Sequence, residues 1–292
     1  MYMASNESLI ASVEQNPQQP EQSPSPPNFV TYVFDWEDIQ SGSPQAVDYY
    51  QKGVELEKTI FRDVFKEEVD LSKYDEKSVF FLVCHGDQVA GVMRLVSDKD
   101  TDLVMNEHDA RLFDEGQLEY ISPTLDYIKK TPTWHKGLSY VLDQAKRSNS
   151  DIVFGPKTAD ITSWAVAKDY RRALAASSNG NGNKPSLDYF DSTENMAVNI
   201  VFFQQLYNWC MANDIECVTA VYDDNPLLYM FAAGLLKKIP GLEPGPLGGS
   251  KSSTPVYGLT SEWRQIYDEN PFLRDLIFSE VYPVIDVKKP EG

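Results

Sequence analysis

Several things are scarce in this chain, and each scarcity removes a class of function. No apolar run approaches the roughly 20 residues of a membrane span, and the start lacks a basic-then-apolar signal pattern, so a soluble, cytoplasmic protein is expected. Three cysteines, Cys84, Cys210 and Cys217, make an odd number at unrelated spacings in apolar surroundings, which fits reduced core residues better than disulfides. The three histidines, His85, His108 and His135, form no His-x-x-x-His pair and there is no Cys-x-x-Cys, so no metal site is expected. Positive charge is scarce as well. A formal net charge of −18 speaks against a nucleic-acid partner, since phosphate binding needs a cationic surface. The same charge is compatible with a cationic acceptor such as an amine.

What is present is ample core material, with 42% hydrophobic and 12% aromatic residues over 292 positions, enough for one large domain or two small ones. Residues 1–27 are rich in Pro, Gln, Ser and Asn and are expected to form a disordered tail, with a single domain over 28–292. Phe29 to Phe34 has strand composition, and Ser43-Pro44 supplies a cap and first-turn proline for a helix, or a broken pair, between Gln45 and Phe65. Ser78 to Cys84 and Val89 to Val96, joined across Gly86-Asp87, read as a hairpin. Within it Arg94 stands among Val, Met and Leu, so it must be ion-paired or reach a cleft; Asp70 and Asp75 are available as partners. Structural pair and substrate clamp both remain open for it.

Residues 97–157 read as an insertion with short helices near Ala110 to Leu118 and Gly137 to Lys146. The stretch Thr158 to Arg172 organises the rest: a half-apolar strand through Ile161, Trp164 and Val166, then Lys168-Asp169 and the pair Arg171-Arg172. A strand ending in a cationic turn buries its apolar side chains while presenting guanidinium forks to an anion. A polar Gly/Asn/Ser insertion follows at 173–191, then a helix from Ser192 to Asn213, a strand from Glu216 to Tyr222, and a helix opened by Asp223-Asp-Asn-Pro226. A helix from Ser261 to Ser279 lies between closing strands at Val256 to Leu259 and Val281 to Ile285.

Val166-x-x-x-Tyr-Arg-Arg172 resembles a strand-to-loop segment of the GNAT acyltransferase superfamily. Asp160-Ile-Thr-Ser-Trp-Ala-Val166 resembles the Glu-x-Ser-Arg-Phe-x-Val segment of the acyl-homoserine-lactone synthases and the related long-chain N-acyl amino acid synthases. Gly91-Val-Met-Arg94-Leu95 matches Gly-x-x-Arg-Leu of that branch, and the order of Arg62, Phe65, Asp70 and Asp75 is similar to its Arg, Phe and acidic tract, though spaced differently. The resemblance implies an α+β, GNAT-like fold: a central mixed twisted sheet flanked by helices, with a splayed strand pair at the acyl-donor site.

The activity implied is N-acyl transfer from a pantetheine thioester to the amine of an amino acid or of a basic peptide side chain. No tightly bound cofactor is implied, only acyl carrier protein or coenzyme A as acyl carrier. Asp160 stands at the family's Glu and is the candidate base, the alternative being a strand-start Asp that pairs with Lys157 or caps a turn. Tyr229, near Phe231 where the family's leaving-group tyrosine would fall, is the candidate acid. Arg62, Asp70, Asp75, Arg94 and Ser163 are acceptor-binding candidates. Trp164, Ala165, Val166, Lys168, Arg171, Arg172 and Asn225 are donor-binding candidates. The compact Gly-rich pyrophosphate loop is stretched or absent after Arg172, which favours acyl carrier protein as donor, docked by Lys168, Arg171, Arg172 and Lys184. Ser163 replaces the family's Arg, which argues against S-adenosylmethionine as acceptor. An acyl-homoserine-lactone synthase is the runner-up, and a non-catalytic acyl-carrier-binding module the alternative of another class.

Overall fold

The computed structural model describes residues 29–65, 70–98, 105–170, 194–223, 235–247, 250–269, 274 and 284–287. Within them one sheet runs through the molecule. Its strands are β1 (Phe29–Asp35), β2 (Ser78–His85), β3 (Gln88–Val96), β4 (Thr158–Val166), β5 (Cys217–Asp223), β6 (Lys237–Lys238), β7 (Gly245–Leu247), β8 (Ser250–Leu259) and β9 (Val284–Asp286). Their order is β6-β8-β5-β4-β3-β2-β1-β9, with β7 paired to β8 off that path. β1 to β4 form an antiparallel meander, β4 and β5 are parallel, β5 and β8 antiparallel, and β9 adds to β1 in parallel. This is a mixed sheet flanked by helices, the α+β class expected from the sequence.

Strand periodicity decides the two faces. On β2, Phe80, Leu82 and Cys84 enter one core and Phe81 and Val83 the other. The first face is covered by α2 (Pro44–Ile60), which follows the short α1 (Trp36–Gln40) and runs on into a π-helical turn at Phe61–Phe65. Ser43 caps α2 by accepting from the Ala46 N–H at 3.4 Å with Pro44 in the first turn, as the sequence suggested. The second face is covered by α6 (Glu194–Ala212), whose Val198 and Phe202 lie directly over Gly91 of β3. A β-carbon at Gly91 would stand 2.9 Å from each of these side chains, so only glycine admits the helix this close.

Three helices, α3 (Glu107–Asp114), α4 (Pro123–Lys130) and α5 (Leu138–Arg147), build a further core with Cys217 of β5 and Tyr257 of β8. The sequence reading anticipated two helices here and missed α4, although Ser122-Pro123 carries the same cap-and-proline signature as Ser43-Pro44. The last described helix, α7 (Thr260–Glu269), buries Trp263 and Tyr267. The tail over 1–27, the insertion at 173–191 and the helix anticipated after Pro226 lie outside the described residues.

Candidate functional site

β4 is bonded to β3 along nearly its whole length, from Asp160 opposite Val96 to Val166 opposite Gly91. Its pairing with β5 covers only Thr158 to Ile161 against Cys217 to Ala220. β5 meanwhile stays paired with β8 as far as Asp223 opposite Ser253. Each strand therefore follows its outer neighbour, and the two part beyond Ile161 and Ala220. A β-bulge marks the place: Leu95 pairs with Ile161 but Arg94 with Ser163, which leaves Thr162 as the extra residue, and a bulge bends and twists the strand that carries it. Between residues 162–166 and 221–223 no ladder rung joins the facing edges.

On the α2 side of this parting stands a buried polar network. The Arg94 side chain donates from Nε to Glu57 Oε1 at 3.1 Å and from Nη2 to Glu57 Oε2 at 2.7 Å, and from Nη1 to Asp75 Oδ1 at 2.6 Å and to the Leu71 carbonyl at 3.1 Å. Ser163 donates to Glu57 Oε1, and Tyr50 donates to Asp75 Oδ2 at 2.6 Å. Arg94, Glu57, Asp75 and Ser163 are all 3% exposed or less, and Arg94 lies over the Phe80 ring at 4.6 Å. Burial pushes the Glu57 carboxyl above its ordinary range against the pull of Arg94, and burial with the Asp75 bond pushes the Tyr50 phenol up. Beside the network lies a cavity of about 80 Å³, lined by Tyr50, Val54, Glu57, Lys58, Asp70, Leu71, Ser72 and Arg94. It has room for about two or three waters, or for an ammonium group.

Asp160 shares the Arg94 face, since Val96 opposite it and Arg94 are two apart on β3. Its carboxylate is 2% exposed and is enclosed by hydroxyls: Ser122 donates to Oδ2 at 2.6 Å, Thr219 donates to Oδ1, and Thr124 bonds it through side chain and backbone. Ser122 also caps α4, accepting from the Leu125 N–H at 3.3 Å. Asp160 thus ties α4 to the closed end of the β4–β5 pair. Burial outweighs these donors and raises its pKa to about 6.

The α6 side is apolar. Trp164 donates its indole N–H to Asn199 Oδ1 at 2.8 Å and sets its ring against Phe202 and Phe203, at centroid distances of 5.4 and 4.8 Å. Ala165 enters the α2-side core and Val166 the α6-side core, while Lys168 is exposed in the 3₁₀ turn Lys168–Tyr170 that ends the strand.

Of the sequence candidates, Arg94, Asp75 and Ser163 come together, and Asp160, Trp164, Ala165 and Val166 follow along the same strand. Asp70 does not join them: it is exposed at the rim of the cavity, accepting from the Ser72 N–H at 3.0 Å, so of the two carboxylates proposed for Arg94 only Asp75 pairs with it. Arg62 is exposed, with Asp63 Oδ1 3.9 Å from its Nε. Arg171, Arg172, Lys184, Asn225 and Tyr229 lie outside the described residues. Sequence reasoning missed Glu57 and Tyr50. The signal was there, because Ala46, Gly53, Glu57 and Ile60 are the buried residues of α2, and a carboxylate on a helix's apolar stripe requires a cationic partner. Among the described residues no group of three or more His, Cys, Asp or Glu side chains is placed to hold a metal ion, and no helix is long and apolar enough to cross a membrane.

An open mixed sheet whose one internal parallel pair parts beside a bulged strand is the GNAT-like arrangement that the sequence resemblance implies. Among solved structures the chain is similar to a coenzyme-A-dependent acyl-homoserine lactone synthase, BjaI, with SAM and isopentyl-CoA, at 12% identity and a TM-score of 0.46 over 90% of this chain and 96% of that one. It is similar to the acyl-homoserine lactone synthase LasI at 13% identity and a TM-score of 0.42, over 90% of this chain and 99% of that one. The N-acyl amino acid synthase FeeM, from uncultured soil microbes, gives 10% identity and a TM-score of 0.44 over 82% of this chain and 94% of that one. No protein-family model and no curated protein matches the sequence. At these identities and scores the likenesses describe shape, and the chemistry has to be argued from this chain's own residues.

Proposed function

We propose that this chain is an N-acyltransferase that moves a fatty acyl group from a pantetheine thioester to an amine. The observation that carries the reading is the parted β4–β5 pair, a slot between two strand edges inside an otherwise continuous sheet. An extended amide-bearing arm is the ligand that such edges suit, because its carbonyls and N–H groups can pair with a strand edge that shares no rung with its neighbour. The amine nitrogen attacks the acyl carbon, the carbon–sulfur bond breaks, the thiolate leaves, and the amine's proton passes to a base. N–H groups of residues 162–166 polarise the carbonyl as negative charge develops on it.

Asp160 has a pKa of about 6, near the range that suits a base at neutral pH. Enclosed as it is, a proton reaches it only through Ser122, Thr124 or Thr219, so the base role assigned to it is a relayed one. The acceptor's ammonium is assigned to the cavity beside Glu57 and Asp70, with Arg94 as the element that holds Glu57 and Asp75 in place. Acyl carrier protein is the preferred donor, on the sequence of the segment after Lys168 and its Arg171-Arg172 pair.

The test is product analysis. The purified chain is incubated with acyl carrier protein and coenzyme A thioesters of several acyl lengths and a panel of amino acids and basic peptides, and the mixture is followed by mass spectrometry. An N-acyl product with release of free thiol is expected. A lactone product transfers the assignment to the homoserine-lactone synthases, and intact thioesters with every amine overturn the catalytic reading.

A further inference from the structure

Hydroxyl groups around the parting are almost all spent. Ser163 donates to Glu57, Thr219 and Ser122 donate to Asp160, and Thr158 donates to the Val153 carbonyl at 3.0 Å. Thr162 is the exception: its side chain is buried, with 8% exposure, and Oγ1 has no hydrogen-bond partner. Leaving a buried hydroxyl unpaired costs about 1–3 kcal/mol, and such a group calls for a reason. Thr31 and Trp36 carry unpaired buried atoms too, but they sit on β1 and at the start of α1, three strands away from β4 in the sheet. Thr162 is at the centre of the site. It is the residue the bulge displaces from register with β3, and the first position of β4 past the last rung shared with β5.

We propose that the Thr162 hydroxyl is the side-chain hydrogen-bond donor for the acyl carbonyl of the thioester. This rests on the acyl-transfer reading and names one of the groups that meets the substrate there. When the amine nitrogen bonds to the acyl carbon, the carbonyl oxygen becomes an oxyanion until the carbon–sulfur bond breaks. The Thr162 O–H stabilises that oxygen alongside the strand's N–H groups and keeps its own proton throughout. In the free protein the hydroxyl is already buried and bonds to nothing, so it has no competing bond to break when the carbonyl arrives.

The test compares two unreactive donors, a plain S-alkyl thioether and an S-(2-oxoalkyl) thioether, which keeps a carbonyl one carbon further from sulfur. Each is carried on coenzyme A and, in parallel, on an acyl carrier protein, and affinities are measured by calorimetry. Wild type is expected to bind the oxoalkyl form about threefold to tenfold tighter, the worth of one hydrogen bond. Thr162→Val should erase that preference and Thr162→Ser should keep it. Because the hydroxyl bonds to nothing in the free protein, Thr162→Val should show a Tm equal to or above that of wild type, which guards against misreading a folding defect. A preference that survives in Thr162→Val, or is absent from wild type while both thioethers bind, overturns the inference and leaves the acyl-transfer reading standing. Failure of wild type to bind either thioether on either carrier overturns that reading, and the inference with it.

Discussion

Glu57 reaches from α2 to grip Arg94 of β3 with both of its carboxylate oxygens, at 3.1 and 2.7 Å. Asp75 takes the guanidinium from its other side at 2.6 Å, so one buried cation serves two buried carboxylates. Such an arrangement contributes little net stability when intact, yet removing its hub strands two buried carboxylates without their cation. It also fixes α2 and the 71–75 segment against the strand that carries the bulge partner of Ser163.

Arg94→Met should therefore destabilise the fold by about 3–5 kcal/mol, read from urea denaturation at pH 7. Glu57→Gln alone should be milder, because Asp75 still balances the guanidinium. In the double variant the costs should fall short of their sum by about 0.5–3 kcal/mol. Additive costs would show that the two side chains are independent in solution.

Gly91→Ala tests the packing of α6 on the sheet. The new methyl would meet Val198 Cγ1 and Phe202 Cζ at 2.9 Å each, closer than carbon atoms approach. Overpacking of this kind typically costs about 1–3 kcal/mol, and Phe202→Leu in the same chain should recover part of it. An unchanged denaturation midpoint in Gly91→Ala would mean that the helix stands further from β3.

Asp160 gives a pH signature. Its pKa in the folded chain, about 6, lies above the ordinary carboxylate value, so the protonated form favours the fold. That contribution is full below about pH 4, declines as the pH climbs towards about 6, and is gone above it. Asp160→Asn removes the titration. Relative to this variant, wild type should lose stability on the order of 2–3 kcal/mol between pH 4 and pH 7. A stability difference that stays flat over this range would show that Asp160 titrates normally.

How much of this was legible in the sequence varies with how local the signal is. The β2–β3 hairpin was readable from two β-rich runs about a Gly-Asp turn, and Gly86 does adopt a positive φ of 59° there. Arg94 was recognisable as a cation needing a partner, and Asp75 is one of the two carboxylates named for it. Glu57 was not found, because in Leu-Glu-Lys it looks like any exposed helix glutamate until its place on the buried stripe is counted. Arg62 was drawn in by resemblance of order alone and Asp70 also as a possible partner for Arg94, and the chain places both at the surface. The parting of β4 and β5 has no local sequence signal beyond the resemblance, since it arises from two registers, each set by a strand on the far side.

Trp164 offers a prediction about the donor's acyl chain. It stands on the parted half of β4 with its ring against Phe202 and Phe203, which makes this aromatic group an apolar wall on the α6 side of the parting. Trp164→Phe keeps an aromatic ring in that wall but loses the N–H that bonds Asn199 and part of the ring volume, so stability should fall by about 1–2 kcal/mol with the products shifted less than in Trp164→Ala. Trp164→Ala deletes the wall and leaves a hole that a longer alkyl chain can fill. With an equimolar mixture of thioesters of graded length, mass spectrometry should show the Ala variant's products shifted towards longer chains relative to wild type. An identical length distribution in both would remove Trp164 from the acyl path and place the alkyl chain elsewhere along the parting.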